Sequence, residues 1–275
     1  MAYGPLITVL ALALLITVAV PGSGQLLYPH PTRSPLTAAP RKCRGITAQV
    51  LRSPRFDTIY RIRAYRGWLH QHGLDGAYHF HRRFLRHRDA QRRSASHWVS
   101  KSPDHVFAPD ALRRTCPDAV IVMPHRDPLC VLACVAELTE ILRRPFTPHI
   151  GRVQIGAEIS ERWAEGADRM VAAGASGAQI PHLHYHDLVR APMDTLSALY
   201  DHCGKRLNDE AEARTAESLR APPRGGYAVH AHRLESFGLE AAALRARLAG
   251  YMQTLDDRPQ RTRTHSALAW AAGTA

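Results

Sequence analysis

The sequence has little from which to build a disulfide scaffold or a metal centre. Its five cysteines are odd in number and include no CxxC pair, which argues against a cystine framework and fits a reducing compartment. Its 17 histidines are scattered, with no HExxH and no Cys/His array, so no metal ligand set is expected. Acidic residues are also in short supply. Twenty-four Asp and Glu face 36 Lys and Arg, a formal net charge of +12, and such an excess suits anionic partners or simply a solvated arginine-rich surface. The basic cluster His81-Arg82-Arg83, Arg86-His87-Arg88 and Arg92-Arg93 falls on one amphipathic helix with no nucleic-acid motif around it, so no specific nucleic-acid partner is expected.

Long apolar runs are absent apart from residues 6–20, interrupted only by Thr8 and Thr17 and followed by Pro21-Gly22-Ser23-Gly24. That length suits the core of an export signal better than a membrane span. No Lys or Arg precedes it, however, so the usual basic opening of a signal is missing. A cytoplasmic protein is the expectation; export, anchoring or membrane contact through residues 6–20 stays open as the alternative.

What is present reads as one α/β unit. Residues 1–55 are taken as the apolar segment plus a Pro-, Arg- and Ser-rich linker, 56–255 as the folded domain, and 256–275 as a loose tail. Phe56, Tyr60, Ala64 and Trp68 recur at helical spacing up to Gly73, and Ala77, Phe80, Phe84 and Leu85 mark a second helix. Strands are expected at Trp98-Val99, over 119–123 and over 182–185. Helices are expected over 108–114, 154–173, 192–203, 209–219 and 239–255. Asp127 followed by Pro128 is a strong helix start, with Val131, Val135, Leu138 and Leu142 along one side. Strands alternating with helices imply a parallel sheet flanked by helices in three layers.

The two central strands are each followed at once by a polar cluster: Lys101-Ser102-Pro103-Asp104-His105 after the first, His125-Arg126-Asp127-Pro128 after the second. Polar groups at the carboxyl ends of buried strands lie where open α/β sheets bind ligands. These elements, with Trp98 three residues before Lys101, resemble the W-x-x-K-S-P-x-H and H-R-D-P elements of bacterial sulfotransferases that use 3′-phosphoadenosine 5′-phosphosulfate (PAPS). The weaker elements His184-Tyr185-His186-Asp187-Leu188-Val189 and Phe237-Gly238-Leu239 corroborate it, and the resemblance spans about residues 56–251.

The resemblance implies a P-loop-like sulfotransferase fold and transfer of a sulfuryl group from PAPS to a hydroxyl of a small-molecule, lipid or carbohydrate acceptor. It assigns Arg126 to the 3′-phosphate, which a guanidinium fork can grip with two bonds. The family's supporting Ser falls at Cys134, a weaker donor. Lys101 is placed near the leaving-group oxygen, His105 as the acceptor's general base, and Arg224 on a loop over the nucleotide. For Arg126 a salt bridge to Asp127 is the plain alternative, and for Lys101 a surface cation; for His105 it is a helix-start ring bonded to backbone.

The family's P-R-S-G-T-T phosphosulfate loop is not intact. Only Pro21-Gly22-Ser23-Gly24-Gln25-Leu26-Leu27 approaches it, without the Arg and both Thr, so the N-terminal strand and loop are expected to be missing or degenerate. A truncated, non-catalytic relative that binds a nucleotide or a partner is therefore the competing reading. The triplet His125-Arg126-Asp127 also occurs in protein kinases, but the position needing Asn for magnesium is Leu132 and no D-F-G follows.

Overall fold

The computed structural model describes residues 16–21, 43–91, 97–147, 149–176, 180–220 and 233–254. The first element is β1 (Ile16–Pro21), and its run of Ile, Val and Thr is the composition of a strand. Two short helices follow, α1 (Cys43–Thr47) and α2 (Arg55–Ile59), then α3 (Arg63–His72) and α4 (Asp75–Gln91). β2 (His97–Ser102) leads through a 3-10 turn (Pro103–Phe107) to α5 (Pro109–Thr115). β3 (Val120–His125) leads to α6 (Pro128–Arg143), and α7 (Arg152–Ala175) precedes β4 (His182–His184). α8 (Tyr185–Arg190), α9 (Pro192–His202), α10 (Asp209–Arg220), α11 (Ala241–Arg247) and α12 (Ala249–Thr254) complete the described elements.

The fold is mostly helical around a four-stranded sheet in the order β2-β1-β3-β4. β1 runs antiparallel to both β2 and β3, and β3 is parallel to β4. Three strands therefore share one direction and β1 opposes them, so the all-parallel sheet expected from the sequence is a mixed one. The N-terminal strand expected to be missing or degenerate is present at a central position, but reversed. It also separates β2 from β3, which the alternating pattern alone would have placed side by side.

Three further expectations give way in the fold. The linker expected through Arg55 ends earlier: Cys43 and Ile46 of α1 are buried, and Arg44 is bonded to buried Asp104. The helix expected from Phe56 through Trp68 is two helices, because Arg143 donates to the carbonyls of Asp57 (2.9 Å) and Thr58 (3.3 Å). Those carbonyls would otherwise accept from a continuing helix, and Tyr60 turns out instead to pack on Phe146, with ring centroids 4.7 Å apart. The C-terminal helix expected over 239–255 likewise breaks at Leu248.

The core lies where α6 and α7 cover the sheet. Ile121 and Met123 of β3 meet Val131, Leu132 and Val135 of α6 and Ile159 and Met170 of α7, all buried. Gly156 lets α7 touch the backbone at Phe237; a Cβ there would lie 2.1 Å from the Phe237 carbonyl oxygen. Among the described residues no helix is long and apolar enough to cross a membrane.

Candidate functional site

β2 and β3 are co-directional, so the polar clusters that follow them open on the same edge of the sheet, two strands apart. At the first, the Ser102 hydroxyl accepts from the Asp104 N–H (3.2 Å) and starts the turn, with Pro103 in its first position. Asp104 is buried and accepts from Arg44 Nε (3.0 Å) and Nη2 (2.8 Å). Burial alone would raise its pKa, but the Arg44 charge and hydrogen bonds outweigh it and the net shift is downward. Lys101, one residue before the strand's end, is half-buried.

His105 does not stand at the edge as a free base. It is buried, with Nδ1 2.9 Å from the Tyr78 hydroxyl of α4. Burial and then the neighbouring His81 lower its pKa from 6.5 to about 3. A ring bonded inside the fold and neutral to such acidity is a poor proton acceptor at neutral pH. The general-base role expected for His105 is corrected on that ground: α4 encloses the ring, and its Nε2 is buried without a partner.

The second cluster is arranged differently. The buried Asp127 carboxylate accepts from the Leu129 N–H (2.8 Å) and caps α6, with Pro128 in the first turn. This is the start expected from the sequence, and it occupies the carboxylate that could have neutralised Arg126. The Arg126 guanidinium instead lies over the Tyr185 ring, 4.7 Å from its centroid. Its Nε is buried with no hydrogen-bond partner, and among the described residues it makes no ion pair. Cys134 is buried on α6. Burial pushes its thiol up to about 11, against the opposing pull of the Arg126 charge, so it meets an anion only as a weak neutral donor.

His125 closes this end. Its Nδ1 lies 2.9 Å from the Tyr251 hydroxyl and its Nε2 lies 2.8 Å from His182 Nδ1, with the His125 and His182 rings stacked at 5.0 Å. Burial, then the two neighbouring histidines, lower its pKa to about 3. The set is not a metal centre: among the described residues no three His, Cys, Asp or Glu could hold an ion together.

Arg224 lies outside the described residues, as do Gly22 to Leu27. Thr17 pairs with Lys101, and Pro21 pairs with His97 at the start of β2, so the chain leaves β1 at the edge opposite Lys101 and Arg126.

Several residues here escaped the sequence reading. His182 and Tyr251 are brought to His125 from far along the chain with no local pattern to announce their contacts, whereas Tyr185, which meets Arg126, lies within the His184-to-Val189 element of the resemblance but was given no role there. His81 was grouped with the basic surface, yet it is buried with both ring nitrogens unpartnered; its spacing from Leu74, Tyr78 and Leu85 is the signal that could have found it.

The fold is similar to that of sulfotransferase STF9 from Mycobacterium avium, with a TM-score of 0.72 at 24% identity. The likeness covers 86% of this chain and 60% of that one, so this chain spans less than two thirds of the STF9 chain. No curated protein sequence matches it. The sequence model described as the sulfotransferase family matches residues 23–209, about two thirds of the chain and inclusive of both strand-end clusters. The chain belongs to the sulfotransferase family.

Proposed function

We propose that the chain binds a 3′-phosphorylated adenosine nucleotide, the PAPS scaffold, at the carboxyl edge of β3, in the service of sulfuryl transfer to a hydroxyl acceptor. The observation that carries this is Arg126, whose buried Nε has no partner in the fold while its guanidinium plane is held against Tyr185. A buried charged donor left unsatisfied is costly unless a ligand completes it, and a guanidinium is matched to phosphate. The Cys134 thiol would give that phosphate a weaker second contact. PAPS would supply the activated sulfuryl group, and the half-buried Lys101 on the same edge would be set toward the leaving-group oxygen. The acceptor class, whether small molecule, lipid or carbohydrate, follows only from the family.

A second reading has its own support: a nucleotide-binding or interaction protein that does not turn over. β1 ends at the edge opposite Lys101, and His105 is enclosed and bonded to Tyr78, so the expected general base is not offered to a sulfate at this edge. Calorimetry with adenosine 3′,5′-bisphosphate, followed by single-turnover assays with labelled PAPS and a panel of hydroxyl acceptors, separates the readings. Binding with little or no transfer selects the second. Transfer that is lost in Lys101→Ala selects the first, and absence of binding refutes the proposed nucleotide site.

A further inference from the structure

His81 on α4 and His105 in the turn Pro103–Phe107 are 3% and 1% exposed, and three of their four ring nitrogens have no hydrogen-bond partner. The fourth, His105 Nδ1, is engaged by Tyr78, also on α4. Two imidazoles thus sit at the contact between α4 and the turn that follows Lys101, in the interior, with almost none of their polar capacity used. Neutral rings tolerate this at moderate cost, whereas a buried imidazolium without a counter-ion does not. We propose that His81 and His105 form an acid-sensing pair whose protonation parts α4 from the turn Pro103–Phe107 and so loosens the end of β2 that carries Lys101.

The surrounding groups offer little relief to a proton on either ring, and only Asp104 favours one on His105. Asp104 is the nearest carboxylate, but α1 commits it to both Arg44 nitrogens at 3.0 and 2.8 Å. Asp75, at the start of α4, is paired with Arg114 of α5 at 2.6 Å. The Cys43 thiol of α1 and the Tyr78 phenol have pKa values raised chiefly by burial, so both stay neutral. Cys116, at the end of α5, is raised for the same reason, and Arg162 of α7 adds a like charge beside Asp104. The His81 ring also opposes charge on His105.

The direction follows from linkage. Folded, His81 titrates at about 4 and His105 at about 3, against 6.5 for an exposed ring. Opening therefore takes up protons below pH 6.5, and the closed contact is at full strength only above it. Between about pH 6 and 4 the opening constant should rise on the order of tenfold per pH unit for each ring, about a hundredfold for the pair.

Hydrogen exchange read by mass spectrometry on the full chain from pH 7.5 to 4.5, corrected for intrinsic exchange, tests this. Protection over residues 75–91 and 103–107 should fall with the two-proton slope, and in His81→Leu with about half that slope. Equal slopes in wild type and variant overturn the proposal, as does unchanged protection of these segments in the wild type. Should His81→Leu not fold, His81→Gln replaces it. The His81 ring is also followed by NMR in the wild type: a ring neutral in the closed form down to about pH 4 supports the proposal, and one titrating near 6.5 overturns it.

Discussion

The two strand-end clusters are built from similar residues and have been put to different uses. Each places a histidine, an acid and a proline between a buried strand and a helical turn. After β2, Asp104 is spent on Arg44 and His105 is drawn under α4, so the cluster ties α1 and α4 to the sheet. After β3, Asp127 is spent on the backbone of α6, and Arg126 is left with a charged donor that no described residue satisfies. What separates an anchor from a candidate binding group is where the acid's bonds go. The first cluster should therefore govern stability and the second ligand affinity.

The largest effect expected from breaking that contrast is at Asp104. Asp104→Ala leaves the Arg44 guanidinium largely buried and unpaired, and removing one partner of a buried pair costs about 3–5 kcal/mol. Arg44 keeps some exposure, 20% of its side chain, so the lower end of that range is expected in urea denaturation. A loss below about 1 kcal/mol, the worth of a surface pair, would show that the first cluster is no anchor. Asp127→Ala should cost about 1 kcal/mol, the worth of one N-cap. A loss as large as that of Asp104→Ala would erase the distinction between the two acids. The smallest effect is expected at Cys134→Ser, which restores a hydroxyl beside Arg126. It should tighten adenosine 3′,5′-bisphosphate by a few-fold, on the order of 0.5–1 kcal/mol, with stability little changed; unchanged affinity would remove position 134 from the phosphate contact.

Much of this was legible in the chain. The Asp127-Pro128 start of α6, the long α7, and β3 and β4 all announce themselves through capping residues and periodicity, and Gly204 takes a positive φ just after α9. Arg126 and Cys134 belong to one strand-to-helix unit, and the Arg126 charge is felt at the Cys134 thiol. The rest depends on contacts remote in sequence. The apolar run containing β1 has the composition of a leader, and only its pairing with β2 and β3 reveals a central strand. Residues 43–50 lack the periodicity of a long helix and are fixed instead through Arg44 and Asp104, 60 residues apart. His105 looked available as a base because its spacing says nothing of Tyr78 and His81 above it.

The central claim is that Arg126 is held open for a 3′-phosphate. The most direct measurement is calorimetric titration of wild type and Arg126→Ala with adenosine 3′,5′-bisphosphate and, in parallel, adenosine 5′-monophosphate. Wild type should prefer the bisphosphate. Arg126→Ala should weaken it by about a hundredfold, the few kcal/mol of a lost charge-assisted pair, and abolish the preference while the thermal midpoint is kept. Equal bisphosphate affinity in the two proteins, or no preference in wild type, would contradict the account.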